Sequence, residues 1–260
     1  MSTVEGTKIN QLLTSQPRGA VMLSSWLTDQ GYSSDLQKRY RKSGWLESIG
    51  KGAMIRAGDQ VGYEGALYAL QTQLHMSTHP GGRSALAMLG KAHYLEMGRS
   101  KVTLFSGHDE KPPVWFQNHD WGIAFDCYQS AFLPPDLGLT DVEVGAFTIK
   151  VSGPARAIME CLYLAPERQE LAECYELMEG LTNLRPDHVQ KLLEACNSIK
   201  VKRLFMVLAE KAGHSWVEYI DLKKVDFGKG KRSIVKDGVY VSKYQITVPK
   251  EWEAHDKTDL

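Results

Sequence analysis

The stretch SSDLQKRYRKSGWLESIGKGAMIR, residues 33–56, carries six Lys or Arg against two acidic residues, in a chain whose 31 positive and 31 negative side chains cancel. Ser33 and Ser34 are N-cap candidates, and Asp35 sets a carboxylate in the first turn where it suits the helix dipole, so a helix starts here. On a wheel at about 100° per residue, Leu36 and Tyr40 define the buried side, with Ser33 and Ser43 beside them. Ser34, Gln37, Lys38, Arg41 and Lys42 fan over the opposite side. Arg39 falls at the flank, where its stem can lie along the core edge and its head reach a phosphate. After Gly44, WLESI and AMIRA read as two short strands joined by Gly50-Lys51-Gly52, glycines that permit the positive φ of a tight hairpin. Lys51 stands at the hairpin tip and Arg56 on the return strand.

Working outward, KINQLLTSQ has Ile9, Leu12 and Leu13 at helical spacing before Pro17-Arg18-Gly19 breaks the pattern. AVMLSSWLTDQG then places Val21, Leu23, Trp26 and Leu27 on an apolar stripe, with Gly31 where a helix C-terminus favours it. Two helices about a short Gly-containing turn, the second of them basic, followed by a hairpin, make a winged helix-turn-helix over residues 1–58. Trp26, Tyr40 and Trp45 supply a small core. In such a module Lys38, Lys42 and Lys51 neutralise phosphates, while Gln37 and Arg41 read base edges, glutamine preferring adenine and arginine guanine. The competing reading of the same helix is an ordinary solvated face.

At 260 residues the chain exceeds the ~100–200 residues usual for one domain, so a second domain is expected over residues 59–260. Hydrophobic content of 43% and charged content of 24% are those of a globular protein with a sizeable core. The zero net charge is unevenly spread. Residues 1–57 hold eight Lys/Arg against four Asp/Glu, residues 58–198 ten against eighteen, residues 199–250 twelve against five, and residues 251–260 one against four. Two basic segments thus flank an acidic middle, and basic segments favour polyanions such as nucleic acid. No run reaches the ~18 apolar residues of a membrane span. The first 25 residues lack a charged segment followed by an apolar core, so a cytoplasmic location is expected. Cys127, Cys161, Cys174 and Cys196 are widely separated and form no C-x-x-C pair, which fits a reducing compartment and argues against a zinc ribbon.

Beyond Gly58, YEGALYALQTQLHM reads as a helix with Ala66, Leu67, Leu70 and Leu74 inward, and GGRSALAMLG as another. KVTLFS and AFTIKVS read as strands separated by the loops GHDEKPPVWFQNHDW and PPDLG. PARAIMECLYLA, RQELAECYELMEGL, PDHVQKLLEACN and VKRLFMVLAEKAG read as helices, and strands close the chain around the Asp237-Gly238 turn. The fold class is therefore α+β, an N-terminal winged helix-turn-helix followed by a larger mixed α/β domain.

Catalytic patterns are sparse. His75 and His79 could share a helical face, as metal ligands require, but no third ligand or paired glutamate accompanies them and Pro80 ends the helix. His108, Asp109, His119 and Asp120 bracket a proline-rich loop whose polarity explains them. Asp226-Phe227-Gly228 stands without the other kinase motifs, and GKGKR lacks the spacing of a phosphate-binding P-loop. A nuclease site at Lys150 would need an acidic residue two positions before it, where Thr148 stands. Neither a metal, a cofactor nor catalysis is expected.

GGRSALAMLGKAHYL, MEGLTNLRPDHVQKLLEACNSIKVKRLFMVLAEKAGHSW and FGKGKRSIVKDGVYVSKYQITVP, in that order behind a winged N-terminus, closely resemble the AbiE-type antitoxin family of bacteria. The resemblance implies the antitoxin of a type IV toxin–antitoxin pair, encoded beside a nucleotidyltransferase toxin and associated with phage abortive infection. It implies that the winged domain represses the pair's own promoter at inverted repeats, bound cooperatively by monomers, with Ser34, Gln37, Lys38, Arg41, Lys42 and Lys51 on the DNA. It implies, too, that the C-terminal domain counters the toxin without a stable complex. Lys200, Lys202 and Arg203, opening one helix, and Lys229, Lys231 and Arg232, in GKGKR, are expected to form a second basic surface for DNA or for an RNA the toxin also uses. The alternatives are a winged-helix regulator with a ligand-sensing C-terminal domain and no toxin, and an enzyme with a DNA-targeting module.

Overall fold

The computed structural model describes residues 7–91 and 101–252. The chain forms two compact units whose segments alternate along the sequence: the first draws on Met1–Pro80, Glu96–Gln129 and Asp141–Val151, the second on Gly81–Leu95, Ser130–Thr140 and Ser152–Leu260. A single cut after residue 58 therefore does not separate them.

The first unit opens with α1 (Lys8–Ser15), β1 (Met22–Leu23), α2 (Ser24–Asp29), α3 (Ser34–Lys42) and the hairpin β2 (Leu46–Gly50) and β3 (Ala53–Arg56). The expected second helix thus begins as a strand. Ala20, Val21, Met22 and Leu23 are all buried, and four consecutive buried residues suit a strand enclosed on both faces better than one stripe of a helix. Met22 pairs with Met54 and Leu23 with Ala53, giving the antiparallel order β1-β3-β2. Leu12, Met22, Leu27, Tyr40, Leu46 and Met54 form the core, with Trp26 packed against it, whereas Trp45 is 47% exposed and is no core residue.

α4 (Tyr63–Gln73) fastens onto β1. The Gln73 amide accepts from the Leu23 N–H at 2.8 Å and donates to the Val21 carbonyl at 2.8 Å, which satisfies the backbone of β1 on its unpaired side. A Cβ at Gly65 would sit 1.9 Å from the Gly19 carbonyl oxygen, so only glycine allows the approach. β4 (His79–Pro80) follows, then α5 (Gly82–Met88) in the second unit, then β5 (Lys101–Ser106), α6 (Val114–Asn118) and β6 (Ala124–Gln129). These strands form a sheet in the order β4-β5-β6. β5 and β6 run parallel in register from Lys101↔Ala124 to Ser106↔Gln129, and a parallel pair needs a crossover, which residues 107–123 and α6 provide. β7 (Leu139–Val144) and β8 (Phe147–Ser152) form a two-stranded pair.

The second unit packs α5, α7 (Pro154–Leu164), α8 (Leu171–Glu179), α9 (Pro186–Ala195) and α10 (Ile199–Lys211), and ends in a small sheet of β9 (Arg232–Ser233), β10 (Val239–Val241) and β11 (Ile246–Val248). Nine of eleven residues in α7 and nine of thirteen in α10 are buried, so these two helices are core on nearly every side. Inside lies an ion pair: fully buried Glu160 accepts from Arg156 Nε at 2.8 Å, Ser152 Oγ at 2.7 Å and the Gly82 N–H at 2.9 Å. Arg156 also donates to the carbonyls of Pro134 and Leu137, so the pair is hydrogen-bonded on both sides, the condition under which buried charge is tolerated. Residues 92–95 of the GGRSALAMLGKAHYL segment and residues 253–260 lie outside the described residues. Among the described residues, no helix is long and apolar enough to cross a membrane.

Candidate nucleic-acid interface

The α2–α3 corner is set by backbone chemistry. Gly31 takes φ +83 in the turn, Ser33 Oγ accepts from the Leu36 N–H to cap α3, and Asp35 lies in the first turn. α2 and α3 are then tied by one side chain. Gln37, expected on the outward face as a base reader, is 1% exposed and turned inward. Its Nε2 donates to the carbonyls of Tyr32 at 2.7 Å and Ser24 at 3.1 Å and to Thr28 Oγ1 at 3.1 Å, and its Oε1 accepts from Ser24 Oγ at 2.6 Å. The expectation fails because the buried stripe of α3 is wider than Leu36 and Tyr40 indicate. α2 covers the side where Gln37 stands and offers it polar partners.

The remaining residues of α3 keep their expected exposure. Ser34, Lys38, Arg39, Arg41 and Lys42 are exposed, as is Lys51 beside Gly52 at the hairpin tip, where Gly52 takes φ +83. Arg41 is drawn toward the sheet, its Nη1 3.2 Å from Met54 Sδ, so it lies on the edge of α3 that faces the hairpin. Burial raises the Tyr40 hydroxyl above its ordinary pKa, with the Tyr32 hydroxyl adding to the effect and Arg39 opposing it, so the core side of α3 stays uncharged. Arg56, expected on the wing surface, is half-buried and donates to the carbonyls of Leu13 and Gln16, joining the return strand to the end of α1. Carbonyls at a helix C-terminus attract a cation, which is why this arginine turns inward.

The second basic surface is corrected more heavily. Lys202 and Arg203 are 3% and 1% exposed. The Arg203 guanidinium donates to the carbonyls of Phe227 at 2.9 Å, Gly230 at 2.7 Å, Gln245 at 2.8 Å and Gly228 at 3.3 Å, so it organises the GKGKR loop from below. Lys200 is partly buried and donates to the carbonyls of Tyr163 at 2.9 Å and Ala165 at 2.5 Å, at the C-terminus of α7. Burial lowers its pKa, against the charge of Glu167. The cause common to all three is that α10 is a core helix, so cations at its start are inside. Lys229, Lys231 and Arg232 stay exposed, with Lys231 over the Tyr240 ring at 5.2 Å.

The weighed catalytic patterns are local structure. α4 ends at Gln73, so His75 and His79 share no helical face; His79 lies in β4, buried, its Nδ1 2.5 Å from the Ser77 carbonyl. Asp226 caps its own turn through the Gly228 N–H at 2.8 Å, and Lys150 faces Asp141 at 3.4 Å. The loop expected over GHDEKPPVWFQNHDW contains a helix that reaches the β2–β3 hairpin. A Cβ at Gly50 would lie 2.9 Å from Trp115 Cβ, so the end of β2 rests against α6. Trp115 and Phe116, both buried, were the signal for it, since adjacent large apolar residues in a loop must find a core.

A family model described as "Transcriptional regulator, AbiEi antitoxin, Type IV TA system" matches residues 99–249, and one described as "Transcriptional regulator, AbiEi antitoxin N-terminal domain" matches residues 5–97. Among solved structures, the RV2827C protein from Mycobacterium tuberculosis is similar in fold, with a TM-score of 0.55 over 92% of this chain and 88% of that one, at 14% identity. No functionally curated protein matches. Two family models that together span nearly the whole chain establish its membership: it belongs to the AbiEi family of antitoxins and transcriptional regulators of type IV toxin–antitoxin systems.

Proposed function

We propose that residues 1–58 act as a winged helix-turn-helix that binds the promoter of the protein's own operon and represses it. The observation that carries this reading is the exposed face of α3, where Lys38, Arg39, Arg41 and Lys42 supply positive charge and Ser34 a hydroxyl, next to a hairpin whose tip presents Lys51. α3 would enter the major groove and the hairpin would track the backbone. Arg41 is the base reader in this account, because Gln37 is committed to α2, and the lysines position the module on phosphates. Monomers would occupy inverted repeats cooperatively.

The second unit, in the same proposal, counters a nucleotidyltransferase toxin in the bacterial cytoplasm, without catalysis of its own and without a stable complex. Lys229, Lys231 and Arg232 remain as its exposed basic loop for a nucleic acid. A promoter–reporter fusion tests both halves in one strain. The protein should silence the fusion and restore growth when the neighbouring toxin is expressed, Arg41→Ala should release the reporter yet still restore growth, and the combined Lys229→Glu, Lys231→Glu and Arg232→Glu should abolish growth rescue. If that triple charge reversal leaves both repression and rescue intact, the loop has no such role. If the reporter is equally active with and without the protein, the autorepressor reading is wrong.

A further inference from the structure

Between the start of α7, the start of β7 and one face of α9, the second unit holds a cavity of about 420 Å³, within the ~300–1,000 Å³ of ordinary small-molecule sites. Its lining is cationic. Arg156, Arg185, His188 and Lys191 belong to it and, among the described residues, no Asp or Glu does, although residues 58–198 hold eighteen acidic residues against ten basic. Helical spacing gathers them: His188, Lys191 and Leu192 lie three and four residues apart on one face of α9, and Arg185 stands at its N-cap.

The backbone and one buried side chain add donors. α7 is capped by Gly153, which has no side chain to offer, so the N–H groups of Ala155 and Arg156, both lining residues, have no intrahelical acceptor. The Arg156 side chain is 4% exposed, its Nε taken by Glu160 and its Nη1 by the carbonyls of Pro134, Pro135 and Leu137. Its Nη2 has no hydrogen-bond partner among the described residues. No fully buried side-chain nitrogen or oxygen among them lacks a partner, so Nη2 is not enclosed, and it opens at the cavity that Arg156 lines. Lys191, exposed, has no ion-pair partner among the same residues. Arg185 meets Asp187 at 3.3 Å and His188 meets the same carboxylate oxygen at 3.7 Å, exposed contacts that hold weakly against water. Thr140 and Asn183 are the neutral polar side chains of the lining, and the rest is aliphatic: Leu137 and Leu139, half-buried, beside Leu184 and Leu192, buried.

Two backbone N–H groups, Arg156 Nη2, Arg185 and Lys191 bring more donor hydrogens than the roughly four lone-pair sites of a carboxylate, and suit the three terminal oxygens of a phosphate. The charge agrees, because Glu160 balances Arg156 and leaves Arg185 and Lys191 to face a dianion. Leucines and no aromatic ring in the lining favour an aliphatic body over a stacked base. We propose that this cavity binds a small phosphate monoester with an aliphatic body, its phosphate between the first turn of α7 and the Arg185 and Lys191 side chains, its body against Leu137, Leu139 and Leu192. The site lies wholly in the second unit and does not rest on the DNA-binding reading.

Isothermal titration calorimetry of the full chain with hexyl phosphate tests this, beside the backbone amide signals of Ala155 and Arg156 in an isotope-labelled sample. Hexyl phosphate should bind saturably and move both signals. It should bind about tenfold or more tighter than inorganic phosphate or glycerol phosphate, which lack the aliphatic body, and than hexanoate, which lacks the third oxygen and the second charge. Lys191→Ala, at an exposed position, should weaken hexyl phosphate about tenfold with Tm unchanged, and Lys191→Glu should weaken it further. Absence of saturable binding overturns the proposal, as does binding that leaves both amide signals in place or that Lys191→Glu does not weaken. Hexanoate as tight as hexyl phosphate overturns the phosphate head, and inorganic phosphate or glycerol phosphate as tight overturns the aliphatic body.

Discussion

Gln37 holds α2 against α3 through a fully used amide, while Arg41, one turn on, carries an exposed guanidinium at the hairpin side of the same helix. The two residues should therefore separate stability from binding. Gln37→Ala leaves the Tyr32 carbonyl and the Ser24 hydroxyl without their partner, which costs about 1–3 kcal/mol and lowers the urea midpoint. Arg41→Ala removes an exposed cation and should stay within about 0.5 kcal/mol of wild type in the same experiment while losing sequence-selective DNA affinity. A Gln37→Ala protein as stable as wild type would show that the clasp is not formed. Which polar residues face inward was the part of the site hidden in the sequence. Glutamine, lysine and arginine have long apolar stems with polar ends, and composition does not say whether water or a row of carbonyls receives the end. Arg203 is the extreme case, since it reads as surface charge and serves as the interior support of a loop whose other cations, Lys229, Lys231 and Arg232, do face solvent.

Elements were legible where local chemistry fixes them. α3 and the β2–β3 hairpin carry their own signals, a serine cap, a first-turn carboxylate, a 3.6-residue period and glycines at positive φ, and these agree with where the structure starts and stops them. β1 carried no such signal, and α6 only the adjacent large apolar pair Trp115 and Phe116. β1 is two residues long and exists because α4 and β3 flank it; α6 exists because a parallel β5–β6 pair needs a crossover. Both are decided by partners distant in sequence, which periodicity cannot register. The α4–β1 contact makes a prediction of its own. Gly65→Ala places a methyl 1.9 Å from the Gly19 carbonyl oxygen, a backbone atom with little room to move, and the overpacking should cost at least about 1–3 kcal/mol. Calorimetry should register this as a drop of several degrees in Tm, and a Tm equal to wild type would mean that the helix and the preceding loop are not in contact there.

For the whole molecule, the charge asymmetry of the sequence divides in the structure. Among the described residues, the basic N-terminal segment keeps most of its cations on the surface of one compact unit, with Arg56 the exception. The basic segment after residue 198 sends Lys202 and Arg203 into the core and draws Lys200 partly inside, so its net charge overstates the basic surface it can offer a partner. That difference favours the N-terminal unit for the proposed contact with a polyanion. The alternation of the two units along the sequence has the same bearing on experiments: a fragment cut after residue 58 would strip α4 from β1 and α6 from the hairpin, so binding is to be measured on the full chain.

In the proposed function, α3 and the hairpin read the DNA upstream of the protein's own gene. The most direct measurement is the affinity of the full chain for that duplex and for a scrambled one across a salt series, with Arg41→Ala alongside. Four phosphate-directed cations, Lys38, Arg39, Lys42 and Lys51, give a slope of log K against log salt between about −3 and −5 for one module. That slope is expected on both duplexes, with a large preference for the native sequence that Arg41→Ala removes. Equal, weak binding to the two duplexes, or selective binding indifferent to Arg41→Ala, would contradict it.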